Sequence, residues 1–284
     1  SYLLIFGHAG FSAMGLAGAG AALFWVELVF SVVVICLLPF TTSAKKYRLY
    51  TREHLLSWGL FKKLLGFGLP IGIQFGGEIA AMTLATYFLG YYGIAALAAS
   101  QVVSQYSIFV VMMVIGISQA VAVLVSEAYG QKNEALVRAY IRGASYCLLL
   151  FFIVVLIFFV GFPSYLMRFF IGADIANPAH VLTLGRYFFY VATLYLFVDA
   201  FRNMLAGALR GLHDSITPMV IGLLALWALS VPLTYWVGVH LLAGAVLLRF
   251  TFVAGVLVAV AILVIRLLKR LKCLDLEQNS LKQG

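Results

Sequence analysis

The chain has 284 residues, 64% of them hydrophobic, and carries 19 Lys+Arg against 10 Asp+Glu, a net charge of +9. A soluble domain is roughly one quarter charged. A mean hydropathy of +1.07 and apolar runs longer than the ~20 residues a helix needs to cross a bilayer core therefore exclude a water-soluble protein. An outer-membrane barrel would alternate over segments of about ten residues; continuous apolar runs specify helices, and the fold class is an all-α, polytopic helix bundle.

In chain order, residues 1–7 read as the tail of one span, and full spans are expected at about 16–38, 66–90, 99–125, 140–162, 182–209, 219–238 and 242–265. The start at Ser1, in what reads as the end of a span and without the basic segment or cleavage site of a signal peptide, leads us to expect a C-terminal piece of a longer protein. Placing the first loop outside puts sixteen of the nineteen basic residues on the inner side, and only Arg168, Arg186 and Arg249 on the other. That bias predicts a cytoplasmic C-terminus. The basic surplus is thus a topology signal rather than a nucleic-acid footprint.

The longest polar stretch, Pro39 to Lys63, reads as a linker, and His54 to Leu65 as an amphipathic helix lying flat at the headgroups, with Trp58, Lys62 and Lys63 at the interface. The resulting division is 1–38, 39–65 (linker), 66–272 (a six-helix unit) and 273–284 (a cytoplasmic tail). Short loops between the six spans predict an up-and-down arrangement of sequential neighbours. Gly68, Gly72 and Gly76 recur every four residues and form a smooth face suited to helix packing. Pro70 interrupts the same span. Cys36, Cys147 and Cys273 are far apart without metal-type spacing and read as buried or cytoplasmic thiols.

The ionisable groups within spans are more informative, because a mid-membrane carboxylate costs about 2.5–3.5 kcal/mol on insertion scales. Glu27, Glu78 and Asp199 are such acids. Counting 1.5 Å per residue from the inner ends puts Glu78 about 18 Å deep and Asp199 about 16 Å deep, so both could face one cavity. Gln74 lies one turn from Glu78, and Tyr195 and Asn203 lie one turn either side of Asp199. Carboxylate, hydroxyl and amide oxygens suit a proton or a small hard cation. Structural alternatives are an ion pair of Asp199 with Arg202 three residues on, and a permanently neutral Glu78. Glu27 is the weaker candidate, outside the six-helix unit.

At this point the residues resemble a family. The string Gly68-Leu-Pro-Ile-Gly-Ile-Gln-Phe-Gly-Gly-Glu78 is similar to the opening of the seventh helix of MATE (multidrug and toxic compound extrusion) transporters. Leu89 to Ala99 resembles that family's turn into the next helix, and Gly116-Ile-Ser-Gln-Ala120 with Glu127-Ala-Tyr-Gly130 the end of that helix. Asp199-Ala200, followed by Gly207-Ala-Leu-Arg-Gly-Leu-His-Asp214 and Pro218, is similar to the Leu-Arg-Gly-x-x-Asp signature, with the spacing of the NorM-type branch; its marker residues here are Gly207, Arg210, Gly211 and Asp214.

The resemblance runs from Gly15 to the last span. It implies the six-helix C-terminal lobe of a two-lobed antiporter, preceded by the last helix of the N-terminal lobe, in a bacterial inner membrane. It further implies export of small amphipathic, usually cationic, organic compounds or drugs, coupled to H⁺ or Na⁺ without another cofactor, with the missing N-terminal lobe and the lipid bilayer as partners. Glu78, Tyr195 and Asp199 fall on the positions of that lobe's cation site, with Gln74, Arg202 and Asn203 around them. Where the branch often carries Gln, this sequence has Arg202, which questions Na⁺ and leaves H⁺ open. A lipid-linked oligosaccharide flippase of the same superfamily would need several cavity arginines, and Arg202 is the only mid-span candidate. An intramembrane enzyme would need strings such as His-Glu-x-x-His, which do not occur.

Overall fold

The computed structural model describes residues 14–37, 57–170, 178–240 and 244–283, together with Ile5 and Gly7. Its helices are α1 (Gly15–Leu37), α2 (Trp58–Leu89), α3 (Ile94–Gly130), α4 (Glu134–Leu156), α5 (Pro163–Phe170), α6 (Pro178–Gly211), α7 (Ile216–Leu224), α8 (Val231–Tyr235) and α9 (Ala245–Gln283). Wider π-helical turns at Ile157–Gly161, Ala225–Ser230 and Trp236–His240 extend α4 and join and extend α7 and α8. Among the described residues seven helical stretches are long and apolar enough to cross a membrane: Gly15–Leu37, Trp58–Tyr92, Ile94–Gly130, Glu134–Gly161, His180–Gly211, Ile216–Gly238 and Ala245–Lys272. In a bilayer each backbone amide must be satisfied within its own segment, so these apolar runs fold as helices.

The chain divides into two compact units, Ser1–Lys63 and Leu64–Gly284. In the first, α1 is exposed along nearly its whole length, Glu27 included, and Trp58 stacks on Phe61 at the start of α2. The expected flat helix at 54–65 is not separate where it is described. Residues from Trp58 onward form the first turns of α2, because Leu60, Phe61, Leu64 and Leu65 continue the helical run into the apolar segment without a breaker. Residues 54–56, most of the linker and, apart from Ile5 and Gly7, the tail of a span expected at 1–7 lie outside the described residues. At the other end α9 runs past the expected stop near 265 through Arg266, Lys269, Arg270 and Lys272, all good helix formers.

Within the second unit α6 is the central helix. It packs most closely on α3 and next on α9. On α3 the buried valines Val103, Val110, Val114, Val121 and Val125 recur at alternating spacings of seven and four, one stripe of a helix, and meet Leu196, Ala200, Met204, Ala208 and Leu209 of α6. Close approach is set by two glycines of α6. A Cβ on Gly207 would lie 2.4 Å from the Ser118 carbonyl oxygen, and one on Gly211 2.7 Å from that of Ala122. Gly68, Gly72 and Gly76, expected to pack, instead face open space with nothing within 4 Å of an added Cβ. On that helix it is Gly77 that packs, against Leu223 and Trp227.

The connections follow local chemistry. Asn133 caps α4, its Oδ1 accepting from the Leu136 amide at 3.1 Å after a left-handed Lys132 (φ 54°). Pro232 lacks the N–H that would continue the helix, and the π turn at Ala225–Ser230 just before it absorbs the mismatch. Thr234 and Thr251 hydroxyls then join α8 to α9 at 2.5 Å. The short α5, between two of the expected spans, is anchored by the Tyr106 hydroxyl donating to the Leu166 carbonyl (3.1 Å) and Arg186 donating to Ser164 (2.7 Å). Cys36 and Cys147 are exposed. Cys147 sits mid-span on α4 and is exposed there, so it is neither of the two expected kinds.

One cluster ties the basic end together. Asp214, buried in the turn after α6, accepts from Arg266 of α9 at 2.9 and 3.1 Å and from Arg270 at 3.4 Å, while its other oxygen accepts from the Thr217 hydroxyl at 2.6 Å. Burial pushes its carboxyl up, but the Thr217 and Arg266 hydrogen bonds outweigh it and hold the group below the ordinary carboxylate range.

Two outcomes are expected. Gly207→Ala and Gly211→Ala should each destabilise the protein by roughly 1–3 kcal/mol through overpacking, read as thermal unfolding in detergent, whereas Gly72→Ala should stay within about 0.5 kcal/mol. Because Asp214 is ionised more easily when folded than when unfolded, its contribution is complete above the ordinary carboxylate range and lost as pH falls through its depressed folded value. Unfolding temperature should therefore drop on acidification below pH ~4, and Asp214→Asn should flatten that drop.

Candidate functional site

Two helices bring the expected site residues together. From α2 come Gln74 and Glu78, one turn apart; from α6 come Tyr195, Asp199, Arg202 and Asn203. Arg202 is the hub. Its Nη1 donates to Glu78 Oε1 at 2.6 Å and its Nε to Asp199 Oδ1 at 2.8 Å. Gln74 Nε2 donates to the same Glu78 oxygen at 3.0 Å, and Asn203 Nδ2 to Asp199 Oδ2 at 2.8 Å. The set is closed on the α6 side, where the Arg202 and Asp199 side chains are 4% and 8% exposed, and more open at Glu78, at 16%.

The two carboxylates therefore do not touch directly; each binds one end of a guanidinium. Arginine suits this place because its fork presents donors in fixed directions and stays charged. The intrahelical Asp199–Arg202 pair exists, and the same arginine reaches Glu78 on another helix, so Glu78 is ion-paired rather than an isolated neutral acid. Tyr195 lies on the same stretch of α6, packed with Ala81, Ala85 and Leu226, but no hydrogen bond joins it to the other five among the described residues. Among the described residues no group of three His, Cys, Asp or Glu side chains is placed to hold a metal ion. The oxygens that could take a cation are those of Glu78 and Asp199, and Arg202 already sits between them.

Several contributors have no signal in spacing. Gly222 of α7 faces the hub, where an added Cβ would lie 3.3 Å from Arg202 Nη1 and 3.9 Å from Glu78 Oε1. Trp227 Nε1 donates to the Gly77 carbonyl oxygen at 3.2 Å, fixing α2 beside Glu78. Ser118 of α3 links the hub to the Arg-Gly signature: its hydroxyl donates to the Asn203 carbonyl at 2.6 Å and accepts from Arg210 Nη2 at 3.0 Å. Arg210 Nε is buried without a partner. Arg249 of α9, expected at an outer end, is drawn inward to hydrogen-bond Ser100. Arg202, Arg210 and Arg249, like Arg186, thus bond to other helices of the unit, where the sequence pattern singled out Arg202 alone.

The MatE family model matches residues 70–236. The chain is 29% identical over 273 residues to the "Probable multidrug resistance protein NorM" of Agrobacterium fabrum, covering 94% of this chain and 57% of that protein. It is 31% identical over 277 residues to the protein of the same name from Mesorhizobium japonicum, covering 95% and 58%. It spans little more than half the length of these relatives. Its fold is similar to that of a multidrug resistance MATE family transporter in an outward-facing conformation, with a TM-score of 0.79 at 17% identity over 96% of this chain and 59% of the other. For an inward-facing conformation the TM-score is 0.71 at 16% identity, over 96% and 61%. With the motif strings, the family match and the bundle in agreement, this chain belongs to the MatE family, on its NorM-type branch.

Proposed function

We propose that the chain forms the C-terminal lobe, with the last helix of the N-terminal lobe, of a cation-coupled antiporter that exports amphipathic, cationic organic compounds from the cytoplasm across a bacterial inner membrane, its C-terminus cytoplasmic. The names of its relatives support efflux of drugs. One observation carries the coupling: two buried carboxylates, Glu78 and Asp199, share a single arginine. With both acids ionised the set is one positive charge short, so it has room for one monovalent cation. That is the stoichiometric minimum for exchange against a monovalent organic cation.

The proton is the better coupling ion. A sodium ion would have to displace a guanidinium that donates to both carboxylates at 2.6 and 2.8 Å. A proton needs only one carboxylate oxygen, and Glu78 is the more open acid. Protonating it removes its charge from the contact between α2 and α6, so the ion's arrival biases the position of α2; a ligand shifts a conformational equilibrium only by such differential affinity. The driving force is sufficient, since one charge crossing 100 mV supplies about 2.3 kcal/mol, roughly a fifty-fold concentration ratio. Tyr195 and Asn203 border Asp199, and Gln74 orients Glu78.

Dye efflux from vesicles of the full-length parent, with pH and Na⁺ gradients imposed separately, tests this. Glu78→Gln and Asp199→Asn should each abolish gradient-driven efflux while membrane insertion persists. Arg202→Gln, which leaves two acids without their fixed cation, should keep efflux but make it Na⁺-dependent. Undiminished efflux in both carboxylate variants would move coupling out of this lobe.

A further inference from the structure

A pocket of about 320 Å³ opens at the basic end of the second unit, away from the hub, between α4 and α9. It is lined by Arg138, Ile141, Arg142 and Leu271. Its walls are of two kinds, guanidinium above and aliphatic side chain below. Arg138 is held by Glu134 at 2.7 Å. Arg142 differs: it is exposed, and its one polar contact among the described residues is Nε donating to the Arg138 carbonyl at 3.4 Å, so no carboxylate among them neutralises it. On α9 the neighbouring Lys269 and Lys272 are exposed as well, while Arg266 and Arg270 are engaged by Asp214.

The position along the helices identifies the occupant. One turn deeper than Arg142 on α4, Tyr146 is 70% exposed, the placement of an interfacial aromatic, and below it Leu149, Leu150 and Ile153 are exposed. The corresponding part of α9 exposes Leu268, Ile265 and Ile262. An uncompensated arginine at the level where two helices pass from charged to apolar surface, with an aliphatic-walled hollow holding the volume of about ten waters, suits a ligand with a phosphate head and two apolar tails. Basic pockets between spans are where acidic headgroups bind.

We propose that this pocket is a binding site for an anionic phospholipid, its phosphate on the Arg142 guanidinium, its headgroup over Ile141 and Leu271, and its chains along the exposed faces of α4 and α9. The site is independent of the coupling hub and shares no residue with it.

Native mass spectrometry and thermal unfolding of the purified full chain in detergent test the assignment, with phosphatidylglycerol, phosphatidylcholine and inorganic phosphate as probes. Phosphatidylglycerol should be retained on the protein and raise its unfolding temperature, phosphatidylcholine should do neither, and millimolar inorganic phosphate should not displace the lipid. Arg142→Gln should weaken retention about five-fold, the effect of one basic side chain near an anionic headgroup. Arg142→Lys should restore most of it, and Arg168→Gln, which removes the same charge at the opposite end, should leave it unchanged. Equal retention of phosphatidylcholine, displacement by inorganic phosphate, or an Arg142→Gln protein that is folded by circular dichroism and binds as before would each overturn the site.

Discussion

Two acids on one arginine, inside a helix bundle that spans a bilayer, is the constraint around which the second unit is arranged. Breaking a buried ion pair by removing one partner costs about 3–5 kcal/mol, because the other charge is stranded. The three groups therefore have to remain within hydrogen-bond reach in any state in which all are charged. That requirement fixes the register of α2 against α6, since Glu78 must stand beside Arg202, and the rotamer of Arg202, since the same side chain must reach Asp199 three residues back. Gln74 and Asn203 take up donor and acceptor capacity that water would otherwise fill.

The two helices that share this arginine are held very differently. α6 is buried from Val198 almost continuously to Leu212, gripped by α3 through Gly207 and Gly211 and by α9 on another side. α2 buries only Gln74, Ala81, Ala85, Phe88 and Leu89. Apart from the Arg202 bond its ties to the unit among the described residues are Trp227 to the Gly77 carbonyl, the small cluster around Ala81 and Ala85, Phe88 and Leu89 at the edge of the main core, Gly77 against Leu223, and ring contacts of Phe88 with Tyr235 and Phe67 with His213. Of the two helices α2 is the one buried at fewer positions, and a change of a single charge weighs more on it than on α6. On the proposed reading the acid that changes charge stands on the less buried helix, and the acid that stays paired stands on the more buried one.

How much of this was legible follows from what sets each feature. Spans were readable because the bilayer leaves apolar helices no alternative, and their ends were not, since Trp58 to Leu65 and Arg266 to Gln283 are good helix formers on either side of the boundary. The site residues were readable as a set because mid-span charges are costly and their one-turn neighbours share a face. That both acids converge on Arg202 could not be read, because nothing in the chain order says which face of α2 meets α6. Glycine spacing misled for the same reason. Gly68, Gly72 and Gly76 have the regular interval, yet close approach occurs at Gly77, Gly207 and Gly211, where a neighbouring backbone or side chain stands in the way of a Cβ.

The hub also depends on something α7 does not supply. Gly222 faces Arg202 Nη1 at a distance where even a methyl group would press on it, and Gln74 and Glu78 lie at ordinary contact beyond. A larger side chain there would fill the space into which the guanidinium extends, and the arginine would have to choose between its two carboxylates. The site is thus made by three helices in three ways: α2 contributes an acid, α6 an acid and a fixed cation, and α7 a glycine whose missing side chain leaves the guanidinium its room. Because the cation is an arginine, which keeps its proton under any condition the membrane offers, the charge of the hub can change only at the acids. A sodium-binding site of the same geometry would need that position to be neutral. On the proposed reading, the residue at 202 therefore decides which ion the lobe can take, while the acids at 78 and 199 decide that it takes one at all.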